Sequence, residues 1–198
     1  MLQSVPWALS LSLEKEFMRS VFLRRPAAGE LQALGRVKRF LFVWLPALIG
    51  VAAIVMESTP TFSAANTSSW LRPIVQRIFG PITDPVWGEV HHLLRKAGHF
   101  AGYGTLCVLF LRAWLLTYAM SVALQVRVWR MRSWGYAIAS TFVVASGDEI
   151  HQTFLPSRTG MFSDVVLDTI GGVVVSGMVL WVSGWMWTKA TRMERSED

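Results

Sequence analysis

The chain has 198 residues, of which 53% are hydrophobic and only 16% charged, with a formal net charge of +6 and a mean hydropathy of +0.40. A soluble domain carries about 25% charged residues, so this balance argues against a water-soluble globule and for membrane spans. The basic excess has a membrane reading too, and with no long basic run or aromatic–basic alternation no nucleic-acid partner is expected.

Residues 1–38 form a basic arm in which Val5, Leu9, Leu13, Phe17 and Val21 recur every fourth position. A helix would align them along one side, so the arm either lies on the inner leaflet as an amphipathic helix or is a poorly ordered cytoplasmic tail. Glu14, Lys15 and Glu16 interrupt its apolar stretch, and no basic stretch precedes it, so a cleavable signal peptide is not expected.

A bilayer core about 30 Å thick needs roughly 20 apolar residues as a helix. The first span is expected near residues 40–56, and the second near 97–120, with Arg112 in its inner half free to snorkel inward. A third, at 134–146, is long enough only if its helix continues through Asp148 and Glu149 toward Gln152. The fourth runs near 165–187.

Between the first two spans, residues 57–95 are a long loop. Leu71, Ile74, Val75, Ile78 and Phe79 predict an amphipathic helix in the outer interface or capping the bundle, stopped by Gly80 and Pro81. Asp84 and Pro85 predict the start of the helix that runs into the second span.

Thirteen Lys and Arg fall before the first span, in the loop between the second and third spans, and after the fourth. Five fall on the other side. The positive-inside rule then places both termini in the cytoplasm of a multi-pass cell-membrane protein. The expected fold is all-α: a polytopic bundle of four transmembrane helices over residues 39–188, an interfacial helix in the first outer loop, and a cytoplasmic tail at 189–198. Trp129, Trp134, Trp181, Trp185 and Trp187 read as an aromatic belt at the inner ends. Cys107 reads as a buried packing residue, and adjacent His91 and His92 as interfacial or solvated.

The acids are concentrated where the chain is otherwise greasy, in GDEIHQTFLPSRTGMFSDVVLD at residues 147–168. Asp164 and Asp168 share a face of the fourth span, as do Asp148 and Gln152 on the third, with His151 beside them. Lys96 and His99 share a face at the outer end of the second. An acid facing lipid is costly, so these groups are expected to converge inward, with Arg158 within salt-bridge reach of an acid and His99 facing the same cavity. Asp148 and Glu149 are the candidate acid or base, assisted by His99. Arg158, with its planar fork, and Lys96 are candidates to hold an anionic group, alongside Gln152, His151, Asp164 and Asp168. Asp164 has a second reading as a helix cap. A divalent metal has some His and carboxylate donors available, but no HExxH or tight ligand spacing, so no cofactor is expected. Gly171 and Gly172, like the Gly98–Gly102 pair, read as close-packing positions.

Lys96-x-x-His99, Asp148-Glu149-x-His151-Gln152-x-Phe154-x-Pro156-x-Arg158, then Asp164 and the glycine pair, resembles the VanZ-like membrane proteins over residues 40–185. One departure stands out: Asp168 occupies a position where that family is expected to carry Asn. The resemblance implies a link to resistance to the glycopeptide teicoplanin and little settled chemistry. Two function classes follow. One is a membrane enzyme acting by hydrolysis or group transfer on a lipid or cell-envelope precursor with an anionic group. The other is a non-catalytic envelope-binding or glycopeptide-resistance protein. A transporter is disfavoured by four spans per chain unless the chain oligomerises.

Overall fold

The computed structural model describes residues 21–22, 31–121, 124–155 and 160–197, with side chains as far as Trp185. Most of the basic arm, Pro156 and Arg158, and the side chains of Trp187, Lys189, Arg192 and Arg195 lie outside the described residues. Among the described residues five helices carry the fold: α1 (Arg36–Glu57), α2 (Ala64–Phe79), α3 (Asp84–Ser121), α4 (Val126–Gln152) and α5 (Phe162–Glu197). A 3-10 turn (Pro60–Phe62) links α1 to α2, and no strand occurs among the described residues.

The central helix is α3, which packs against α5, α4 and α1. Its buried face carries Tyr103, Leu106, Cys107, Phe110, Leu111, Leu115 and Leu116. By contrast, α1 meets the bundle mainly through Val43, Ala47 and Ile54, leaving Phe40, Leu41, Leu45, Leu48, Ile49 and Val55 exposed. In water that surface would be an aggregation hazard, whereas lipid tails match it. Among the described residues three helices are long and apolar enough to cross a membrane: α1, α3 and α5.

The expected third span is a helix, and it does continue through Asp148 and Glu149 to Gln152. Its 27 residues extend about 40 Å at 1.5 Å per residue. It is not among the three helices apolar enough to cross, because its short apolar centre is hemmed by Arg127, Arg130 and Arg132 at one end and by the acids at the other.

Several expectations need correction. Arg112 does not snorkel. It is buried, its Nη1 donating to the carbonyls of Phe42 (3.0 Å) and Val43 (3.2 Å), with its guanidinium over the Phe42 ring. The reason lies in α1: Pro46 has no N–H, so the Phe42 carbonyl four residues earlier loses its helical partner, and the arginine supplies one. Trp129 is not a belt residue but fully buried, its Nε1 donating to the Leu115 carbonyl, and Trp134 donates to Ser176. Buried indoles need an acceptor, and the bundle provides it. Trp181 and Trp185 remain exposed. His91 is buried rather than solvated, 3.0 Å from Thr67 Oγ1 and stacked on Trp87.

The predicted loop helix is α2, and it ends at Gly80, whose φ of +88° suits glycine. Its predicted apolar face is split. Leu71 and Val75 are half-buried, while Ile74, Ile78 and Phe79 are exposed.

Candidate functional site

The end of α1, the starts of α3 and α5, and the end of α4 meet at one end of the bundle. This brings Lys96, His99, Asp148, Glu149, Gln152, Asp164 and Asp168 together from stretches up to 72 residues apart. Helical spacing makes the meeting possible. Lys96, His99 and Tyr103 follow one face of α3, Asp148 and Gln152 one face of α4, and Asp164 and Asp168 one face of α5.

Two cross-helix pairs link α3 to α5. Lys96 Nζ lies 2.7 Å from Asp164 Oδ1, both side chains partly exposed. One turn deeper, His99 Nδ1 lies 3.6 Å from Asp168 Oδ1. Asp164 is therefore an ion-pair partner rather than a simple cap. Asp168 is completely buried, and neither of its oxygens has a hydrogen bond among the described residues. A carboxylate in that position costs several kcal/mol unless a partner compensates, by order of magnitude, and His99 is the basic group set against it.

Asp148 has the opposite surroundings. It accepts hydrogen bonds from the Ser58 hydroxyl, from Tyr103 Oη (3.0 Å) and from Gln152 Nε2 (3.0 Å). Its carboxylate thus joins the segment after α1 to α3 and α4. Glu149, its neighbour, accepts one bond at Oε2 from the Met161 backbone N–H (2.8 Å), while its buried Oε1 has no partner among the described residues. That contact needs Gly160, because a Cβ there would collide with the Glu149 carbonyl.

Ser58 and Tyr103 belong to this cluster and were not singled out from sequence. Tyr103 follows His99 by four positions, a signal that was available. Ser58 gave none, since it stands in a non-helical segment 90 residues from Asp148. His151 is not brought in. It is exposed, because one residue along a helix turns the side chain by about 100° away from the face that buries Gln152. Arg158 and its expected salt bridge fall outside the described residues. Among the described residues no three His, Cys, Asp or Glu side chains are grouped so as to hold a metal ion.

Fold and cluster together define a class: an all-helical protein with helices of membrane-crossing length that gathers an acid-rich polar cluster at one end of its bundle. More particularly, the chain belongs to the VanZ/LLP1 family, whose model matches residues 41–183. No curated protein and no solved structure matches the chain.

Proposed function

We propose that this VanZ/LLP1 protein is a multi-pass cell-membrane enzyme that acts on a lipid or cell-envelope precursor by hydrolysis or group transfer, with His99 as the proton-transferring group and Asp168 as its partner. In this reading α4 is a fourth span, both termini are cytoplasmic, and the polar cluster faces the outer side. The observation that carries it is the His99–Asp168 pair: a fully buried carboxylate without hydrogen bonds among the described residues, set beside an imidazole that retains partial exposure. A carboxylate 3.6 Å from an imidazole favours, by its charge, the imidazolium that forms when the ring takes a proton from water or a hydroxyl nucleophile. Lys96, partly exposed above the pair, offers positive charge to an anionic group. Arg158 would add a second cation from the α4–α5 connection. Glu149, with one oxygen unbonded among the described residues, is the second candidate for proton transfer, whereas Asp148, held by three donors, is a positioning residue.

A non-catalytic role in envelope binding or glycopeptide resistance has one observation in its favour: Lys96 is already paired with Asp164, so these two charges need no ligand to be compensated.

The readings separate in a deletion strain complemented with Asp168→Asn, His99→Gln or Asp148→Asn, scored for lipid and envelope-precursor profile and for protein abundance. Catalysis predicts that Asp168→Asn and His99→Gln reproduce the deletion profile at normal abundance, with turnover down by roughly a hundredfold or more. Asp148→Asn should instead lower abundance, because an amide cannot accept all three donors. A wild-type profile from both Asp168→Asn and His99→Gln would exclude the proposed chemistry.

A further inference from the structure

α2 turns a row of large apolar side chains away from the bundle. Its bundle-facing side, where Leu71 and Val75 are half-buried, is held by polar bonds as well. Thr67 Oγ1 lies 3.0 Å from His91 Nε2, and Trp87 Nε1 donates to Ser68 Oγ at 2.7 Å. Arg72 donates to the Ile82 carbonyl (3.0 Å) and to Asp84 (2.5 Å), and Gln76 donates to the same carbonyl (3.4 Å). The outward side carries Trp70, Ile74 and Ile78 at i, i+4 and i+8, then Phe79, which are 54%, 50%, 68% and 78% exposed. Bulk water would favour the reverse arrangement.

What covers this face is indicated by the other helices. Each element reaching the polar end sets exposed apolar side chains within two residues of a cluster member. Met56 precedes Ser58, Leu94 precedes Lys96, Ile150 follows Glu149, and Phe162 precedes Asp164. A protein partner would cover one side of the bundle. A collar contributed by α1, α3, α4 and α5 alike matches a lipid layer around the whole perimeter. The outward face of α2 extends that collar, with exposed Trp70 suited to an interface and Arg77 exposed beside it.

We propose that α2 lies in the leaflet on the polar-cluster side of the membrane, its Trp70–Ile74–Ile78 face against phospholipid and its Thr67–Ser68–Arg72–Gln76 side against α3 and the loop that precedes it. The segment Ser58–Ser63 ties this helix to the cluster: Ser58 bonds Asp148, and Arg95 Nη1 donates to the Phe62 carbonyl at 3.1 Å. The cluster therefore lies near headgroup depth. This placement rests on no chemical role for His99 or Asp168, so either reading can fail alone.

The test uses the full chain carrying Ile74→Cys, Ile78→Cys or Gln76→Cys, each labelled with a polarity-sensitive nitrobenzoxadiazole dye. Cys107, the one native cysteine, is buried. The proteins are reconstituted in phosphatidylethanolamine–phosphatidylglycerol vesicles with or without doxyl-labelled phospholipid. Dye at positions 74 and 78 should emit to the blue and be quenched about twofold by the doxyl lipid, with clearly less quenching at 76. Should Ile74→Cys fail to reconstitute, Ile78→Cys carries the same comparison. Water-like emission without quenching at the outward positions would overturn the proposal. So would efficient Ile74→Cys self-crosslinking in place of quenching, which would assign the face to a second copy of the chain.

Discussion

Gly171→Ala should damage the candidate site without touching any polar member of it. A Cβ at Gly171 would stand 2.5 Å from the Phe100 carbonyl oxygen and 3.1 Å from its carbon. An ordinary carbon–oxygen approach is about 3.3 Å, so α3 and α5 must part by about 0.8 Å at this crossing. His99 immediately precedes Phe100, and Asp168 lies about one turn from Gly171. If the displacement is transmitted fully, the His99–Asp168 separation of 3.6 Å grows to roughly 4.4 Å. Overpacking of this kind costs about 1–3 kcal/mol. Gly98→Ala is the matched control, since a Cβ there meets nothing within 4 Å, and replacing a mid-helix glycine should gain about 0.5–1 kcal/mol. The two alanine variants should thus differ by about 1.5–4 kcal/mol in unfolding free energy in detergent micelles. Only Gly171→Ala should weaken complementation of the deletion strain. Equal stability and equal complementation would refute the claim that close approach of α3 and α5 sets the geometry of the pair.

The bond between Arg112 and the proline-freed carbonyl makes a double-mutant prediction: Arg112→Met should cost about 3 kcal/mol with Pro46 present, and about 1–2 kcal/mol less in a Pro46→Ala background, where residue 46 regains an N–H for the Phe42 carbonyl. Equal costs in the two backgrounds, measured by thermal or denaturant unfolding, would show that the arginine is held for another reason. Topology is checked by reporter fusions: positions near Arg130 and at Asp198 should read as cytoplasmic, and one near Trp70 as outside. A cytoplasmic signal at Trp70 would reverse the orientation and move the polar cluster to the inner face.

Hydropathy and helical spacing were enough to predict an all-helical chain, the continuation of α4 to Gln152 and the shared faces of Lys96 with His99 and of Asp164 with Asp168. These are one-dimensional properties, set by the helical period and by what lipid tolerates. Which residue meets which was a different matter. That Asp148 accepts three donors while Asp168 has no hydrogen bond among the described residues depends on Ser58 and Tyr103 arriving from the segment after α1 and from α3, and no local pattern near Asp148 announces either. The two glycine pairs looked alike in sequence, yet Gly171 sits against a backbone and Gly98 against open space, because helix crossing points are fixed by the whole bundle. Arg112 could be read as a snorkelling cation until Pro46 and Phe42, some 70 residues earlier, were placed beside it. His151 and Gln152, adjacent in the motif, were separated by one step of helical rotation once tertiary packing chose which face of α4 to bury.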